Sequence, residues 1–149
     1  MVGIEKDKIE SVLVIRLKAL GDIVLSFPFV DLIRRLYPEA VIDYLCYKGY
    51  EEAVMGNRDI SNVLVLKKGF MNQLRLMFDL RNRRYDLAAD LISSPRSAGI
   101  TAFTGAKTRI GMDVGRHNFC FHKVLGFKIF SGKKRTDYYV LAANRVLSK

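Results

Sequence analysis

The chain lacks the short signatures that would announce a common activity. No Gly-x-Gly-x-x-Gly is present, so dinucleotide binding is not signalled. Gly105-Ala106-Lys107-Thr108 resembles the end of a P-loop, but alanine stands where the lysine belongs and no glycine lies five positions earlier. There is no Gly-x-Ser-x-Gly elbow, and the only histidines, His117 and His122, give a Ser-His-Asp arrangement little to draw on. Cysteine is scarce too. Cys46 and Cys120 lie far apart and form no Cys-x-x-Cys pair, which fits a reducing, cytoplasmic compartment with both thiols packed as small hydrophobes. His117, Cys120 and His122 are close in sequence but lack a zinc-type pairing, so no metal site is expected. The charged stretch from Met1 to Glu10 is unlike a signal peptide, and Arg16, Lys18 and Asp22 interrupt the most apolar segment before it reaches the roughly 18 residues of a membrane span. A soluble or peripherally attached protein is expected.

Acidic residues are missing from one region in particular. Residues 1–95 carry 14 basic and 13 acidic side chains, residues 96–135 carry 9 and 1, and residues 136–149 carry 2 and 1. Most of the net charge of +10 therefore sits between Arg96 and Arg135, which makes an anionic partner plausible.

What is present is one domain's length, 149 residues, with a hydrophobic content of 50% that suffices for an ordinary core. Val12–Ile15 is a short continuous apolar run, the pattern of a central strand buried on both faces of a parallel sheet. A helix follows, with Gly21 expected at the turn, Asp22 at the N-cap, and Pro28 as a complication that distorts the first turn or delays the regular helix. Further strands are expected at Val41–Cys46, Val63–Leu66, Leu87–Ile92 and around Arg109-Ile110. Helices are expected near Tyr50–Met55, from Phe70 to about Arg83, and over Arg96–Thr104. Residues 112–135 read as mostly loop with an extended piece at Phe127–Phe130, and Thr136–Leu147 as a last helix. The alternation of strand and helix predicts an α/β, doubly wound parallel sheet.

In such a sheet ligands gather beyond the carboxyl ends of the strands. Arg16-Leu17-Lys18-Ala19-Leu20-Gly21-Asp22 lies at such an end, and an aspartate there serves either as a helix cap or as a general base. Asp90, near the end of the fourth strand, faces the same choice between function and turn-making.

The run from Val12 through Arg16-Leu17-Lys18-Ala19-Leu20-Gly21-Asp22 to Pro28 resembles the opening of glycosyltransferase family 9, the lipopolysaccharide heptosyltransferases. Tyr85-Asp86-Leu87, Asp90-Leu91, Arg96-Ser97 and Gly105 to Asp113 resemble a second block of that family, and Tyr37–Asp43 fits the segment between them. One departure is Ile92-Ser93-Ser94-Pro95, where the family commonly continues with Gln-Gly. The resemblance implies that residues 1–149 form a single Rossmann-like acceptor-side domain, the N-terminal half of a GT-B glycosyltransferase. The C-terminal half, absent from this sequence, would bind the donor, ADP-heptose or a similar nucleotide sugar. The resemblance further implies inverting transfer without a metal, in lipopolysaccharide core assembly, with Asp22 as the base. Lys18, Gly21, Arg96, Arg109 and Arg116 would bind an anionic glycolipid acceptor. The implied setting is the cytoplasm, with a peripheral contact at the inner face of the cytoplasmic membrane, and the chain alone would be inactive.

Two alternatives remain open at this stage. A nucleic-acid-binding module would use the basic segment with Phe119, Phe121 and Phe127 as stacking platforms, although no RNA-binding signature accompanies them. A stand-alone nucleotide-binding Rossmann protein would lack the glycine fingerprint.

Overall fold

The structure is a computed structural model that describes residues 9–112 and 118–125. Its elements alternate along the chain: β1 (Ser11–Ile15), α1 (Leu20–Leu36), β2 (Val41–Tyr47), α2 (Glu51–Met55), β3 (Asn62–Leu66), α3 (Phe70–Asn82), β4 (Leu87–Asp90), α4 (Pro95–Thr104), β5 (Thr108–Met112), a 3-10 turn at Asn118–Cys120, and β6 (Lys123–Leu125). The strands form one sheet in the order β3-β2-β1-β4-β5-β6, and every pairing is parallel. This is the order of a doubly wound Rossmann-like sheet, with its switch point between β1 and β4.

The alternation of side chains along β1 explains why helices must cover both faces. Val12 and Val14 pack with Ile23, Phe29, Val30 and Ile33 of α1, whereas Leu13 and Ile15 pack with Leu80 of α3 and Ile100 of α4. Val12, Leu13, Val14 and Ile15 are all fully buried. At about 1.5–3 kcal/mol per fully buried large side chain, this strand fixes the centre of the sheet.

The structure corrects several local expectations. Ala19, not Gly21, makes the turn after β1, with φ 68°, and α1 begins at Leu20. Asp22 is therefore the third helical residue rather than the N-cap, because the helix begins three residues earlier in the turn than expected, with Ala19 at the N-cap, and its carboxylate pairs with Arg16. The helix also runs through Pro28 without a break. The carbonyl that proline leaves unpaired is that of Val24, in an exposed stretch of the helix.

β4 stops at Asp90, two residues earlier than expected. Asp90 Oδ1 accepts from the backbone N–H of Ile92 at 2.9 Å and of Ser93 at 2.8 Å, which turns the chain out of the ladder. α4 then starts at Pro95, capped by Ser94 in a reciprocal capping box with Ser97. It ends at Gly105, whose φ of 64° suits the left-handed cap. The sixth strand, β6, lies in the stretch expected to be mostly loop. Phe127–Phe130 and Thr136–Leu147 lie outside the described residues.

Gly111 has a specific packing role. A Cβ at this position would come within 2.3 Å of the Phe121 ring, so the absent side chain lets Phe121 lie directly on β5. Phe121 is consequently buried, which removes it as a stacking platform for a nucleic acid base.

Candidate functional site at the carboxyl edge of the sheet

Because β1 and β4 are neighbours and their helices leave on opposite faces, a crevice opens beyond Ile15 and Asp90. The first turns of α1 and α4 flank it. Asp22 enters from α1, and Arg96, the second residue of α4, enters from the other side.

Arg16 is the side chain that joins the two loops. Its Nη1 donates to the Leu91 carbonyl at 2.6 Å, beyond β4, and its Nη2 pairs with Asp22 Oδ2. Both members of the ion pair are mostly shielded, with side-chain exposures of 12% and 22%. Such a pair gains more from its geometry than a surface pair does. It fixes the Asp22 carboxylate at the mouth of the crevice, beside the partial positive charge of the α1 N-terminus.

Asp90 sits beneath this pair. It is fully buried, and while Oδ1 holds the turn, Oδ2 has no hydrogen-bond partner. Burial raises its pKa above the ordinary carboxylate value, opposed by the amides of Ser93 and Ile92, the Ser97 hydroxyl and the positive charge of Arg16. Arg16 Nε is likewise buried without a partner. The backbone around these groups is also strained. Ala19 and Ser93 both adopt positive φ, of 68° and 54°, where an L side chain costs roughly 1–2 kcal/mol. Ser93 is held in this conformation because its hydroxyl accepts from the Met112 N–H at 2.7 Å, tying the β4 loop to the end of β5.

The remaining candidates divide. Lys18 is exposed in the loop that leads from β1 into α1, four residues before Asp22. Gly21 is also exposed, and a Cβ there would meet nothing within 4 Å, so this wall of the crevice is bare backbone open to approach. Arg96 is exposed and donates to the Tyr47 hydroxyl at 3.2 Å, which brings the end of β2 to the same rim. Arg109 is not brought to this edge. It is the second residue of β5, and its Nε donates to the Cys120 carbonyl at 2.9 Å while Nη1 donates to Ala106 at 3.4 Å. Arg116 lies outside the described residues.

Arg16, which joins the two loops at this edge, is the residue that pattern reading missed. Its signal was present, since a charged side chain directly after a fully buried parallel strand needs a partner at that edge. Among the described residues, no three His, Cys, Asp or Glu side chains gather in a way that could hold a metal ion. No helix among them is long and apolar enough to cross a membrane.

The class defined by this fold is an α/β, Rossmann-like doubly wound domain with its polar site at the switch point. Solved structures narrow the class further: the chain has the fold of part of the GT-B heptosyltransferases and of a related family 9 glycosyltransferase. It superposes on the glycosyl transferase family 9 structure from Veillonella parvula with a TM-score of 0.78 and 19% identity, covering 92% of this chain and 41% of that one. It matches E. coli ADP-heptose LPS heptosyltransferase II with a TM-score of 0.79 and 22% identity, over 89% and 40% of the two chains. For E. coli heptosyltransferase WaaC with ADP-2-deoxy-2-fluoro heptose the TM-score is 0.76 at 14% identity, over 93% and 48%. The chain thus spans less than half the length of the structures it matches. No family model and no curated protein sequence matches it.

Proposed function

We propose that this chain is the N-terminal, acceptor-side domain of an inverting, ADP-sugar-dependent glycosyltransferase of the heptosyltransferase type, acting in lipopolysaccharide core assembly. The single observation that carries the reading is the Asp22 carboxylate, fixed by Arg16 at the mouth of the switch-point crevice in a fold matched to heptosyltransferases. Resemblance in the stretch from Val12 to Pro28 supports the same assignment.

The chemistry follows from that placement. A sugar hydroxyl of the acceptor enters the crevice over the bare backbone at Gly21, where no side chain obstructs it. Asp22 accepts the hydroxyl proton as the oxygen attacks the anomeric carbon of the donor, and the bond from that carbon to the diphosphate breaks with its electrons leaving on ADP. Attack opposite the leaving group inverts the configuration. Arg16 keeps the carboxylate aimed, and Lys18 and Arg96 present positive charge to carboxylates or phosphates of an anionic glycolipid. The donor is held by a second domain or chain, so this chain alone does not turn over. The cellular setting is the cytoplasm, at the inner face of the cytoplasmic membrane.

The test is glycosyl transfer from an ADP-sugar to a soluble, delipidated acidic core saccharide by the protein together with its donor-binding half. Lys18→Ala and Arg96→Ala are each expected to raise the acceptor KM about tenfold, the equivalent of about 1.4 kcal/mol, with a smaller effect on kcat. Unchanged acceptor KM in both variants, or transfer to neutral saccharides at the same rate, would refute the assignment of this rim to an anionic acceptor.

A further inference from the structure

Helix α3 has two apolar faces, one buried against the sheet and one largely exposed, touched by the fold where Phe78 meets the Phe103 ring edge-on. Leu80 is buried against the sheet and Leu76 packs partly beside it. On another face Phe70, Leu74, Met77 and Phe78 recur at helical spacing with Met71 beside them, and Phe70, Met71 and Phe78 are exposed by 77%, 60% and 52%. Leu74 and Met77 fill the stripe between them and are half-buried. Three large apolar side chains this exposed on one helix exceed the scattered exposure of an ordinary surface and mark a face that meets something.

The charges around this stripe identify the kind of partner. Lys67 and Lys68 precede Phe70, and Arg75 lies on the flank of the stripe. All three are exposed, and none forms an ion pair among the described residues. The acidic residue of the helix, Asp79, is paired with Arg83. A face with exposed Phe and Met in its middle and unpaired cations at its border complements an anionic bilayer, into which the rings insert while the cations meet headgroups.

The same charges disfavour other occupants. A second copy would bring the same cations against themselves. Residues 126–149 of this chain carry six basic side chains and one acidic, so they too are the wrong sign.

Position adds the functional consequence. The Lys67-Lys68-Gly69 loop follows the carboxyl end of β3, the edge of the sheet that also bears Asp22 and Arg96. An apolar groove of about 290 Å³ runs between α3 and α4, and its lining includes Met77, Ile100 and Phe103, with Arg96 at the rim of the candidate site.

We propose that the exposed face of α3, led by Phe70 and Met71 and bordered by Lys67, Lys68 and Arg75, docks the protein on an anionic membrane surface beside the candidate site. Docking there brings the crevice to the plane from which a membrane-held acceptor presents its saccharide. This deepens the proposed function and rests on it for its purpose, although the docking itself is measured independently.

The experiment is flotation of the protein with vesicles of phosphatidylcholine alone and of phosphatidylcholine with 30% phosphatidylglycerol. Binding is expected to the anionic vesicles only, to weaken as salt rises, and to fall by at least tenfold in Phe70→Ser/Met71→Ser. Lys67→Gln/Lys68→Gln should lose about fivefold per charge removed. These positions are exposed, so the variants should keep the wild-type melting temperature. Transfer to the soluble saccharide should be unchanged in Phe70→Ser/Met71→Ser. Equal binding to neutral vesicles, no binding to anionic ones, or wild-type binding by both double variants would overturn the proposal. Concentration-dependent dimerisation abolished by Phe70→Ser/Met71→Ser would overturn it in favour of self-association. Loss of docking with transfer to the soluble saccharide intact would leave the glycosyltransferase reading standing, whereas absent transfer with intact docking would count against that reading alone.

Discussion

Asp86 and Asp90 bracket the same strand, both shielded from solvent, and their surroundings are opposite in kind. At the amino edge of the sheet, Asp86 Oδ2 accepts from the backbone N–H of Glu10 at 2.9 Å and of Ser11 at 3.1 Å, and from the Ser11 hydroxyl at 3.2 Å. Its Oδ1 accepts from Lys107 Nζ at 2.6 Å. Burial opposes its charge, but the hydrogen bonds from Lys107, Glu10 and Ser11 outweigh that effect and hold the carboxyl below its ordinary pKa. At the carboxyl edge, Asp90 keeps one oxygen unpartnered and its pKa is raised by burial, next to a buried Arg16 Nε with no partner and two residues at positive φ. One end of the strand is built for stability. Positive φ occurs at both ends, at Arg84 before the strand as at Ser93 after it, so what sets the carboxyl end apart is its unsatisfied buried groups, which are expected where structure has been shaped by function.

Two substitutions test whether the two carboxylates differ in this way. The larger effect is expected from Asp86→Ala, which strands two backbone N–H groups and a hydroxyl at the start of β1. At about 1–3 kcal/mol per buried donor left unpaired, stability should fall by roughly 2–4 kcal/mol in urea titration at pH 7. The pH dependence has a definite sign. A depressed carboxylate contributes stability that is fully present above the unfolded pKa, near 3.9, and is lost as pH falls through the lower folded value, so the variant should show a weakened acid-unfolding transition. A smaller effect of opposite sign is expected from Asp90→Asn. Its raised pKa means that the charged form costs stability above the folded pKa, and that this cost disappears as pH falls towards 4. Melting at pH 8 should therefore be unchanged or higher in Asp90→Asn, with a flatter profile between pH 4 and 8. A melt lowered as much as that of Asp86→Ala would show that both ends of β4 serve stability alone.

The sheet and its order of elements were legible because each strand is a short apolar run and each helix carries an apolar stripe. Val12–Ile15 is the clearest case, since a run buried on both faces has no polar side to hide. The edge was harder to read. Asp22 was found by its place after such a strand, but its role as third helical residue depends on Ala19 taking a positive φ, which no residue preference forecasts. Ser93 poses the same difficulty: it adopts a positive φ of 54° that a serine does not forecast. Arg109 reads as a rim cation in sequence, yet tertiary contacts with Cys120 and Ala106 commit it to holding a turn. Arg16 and the bare face of α3 became legible only when separate segments were brought together. Local pattern contains the elements but not the partners their side chains find.

Proton abstraction by Asp22 is the role proposed above for the carboxyl edge. The most direct measurement is kcat for ADP-sugar transfer by the protein with its donor-binding half, compared between wild type and Asp22→Asn, with the melting temperature followed in parallel. The account predicts a loss of about 10²–10⁴-fold in kcat with a smaller loss of stability than Asp86→Ala causes. Near wild-type turnover in Asp22→Asn, with the protein folded, would contradict it.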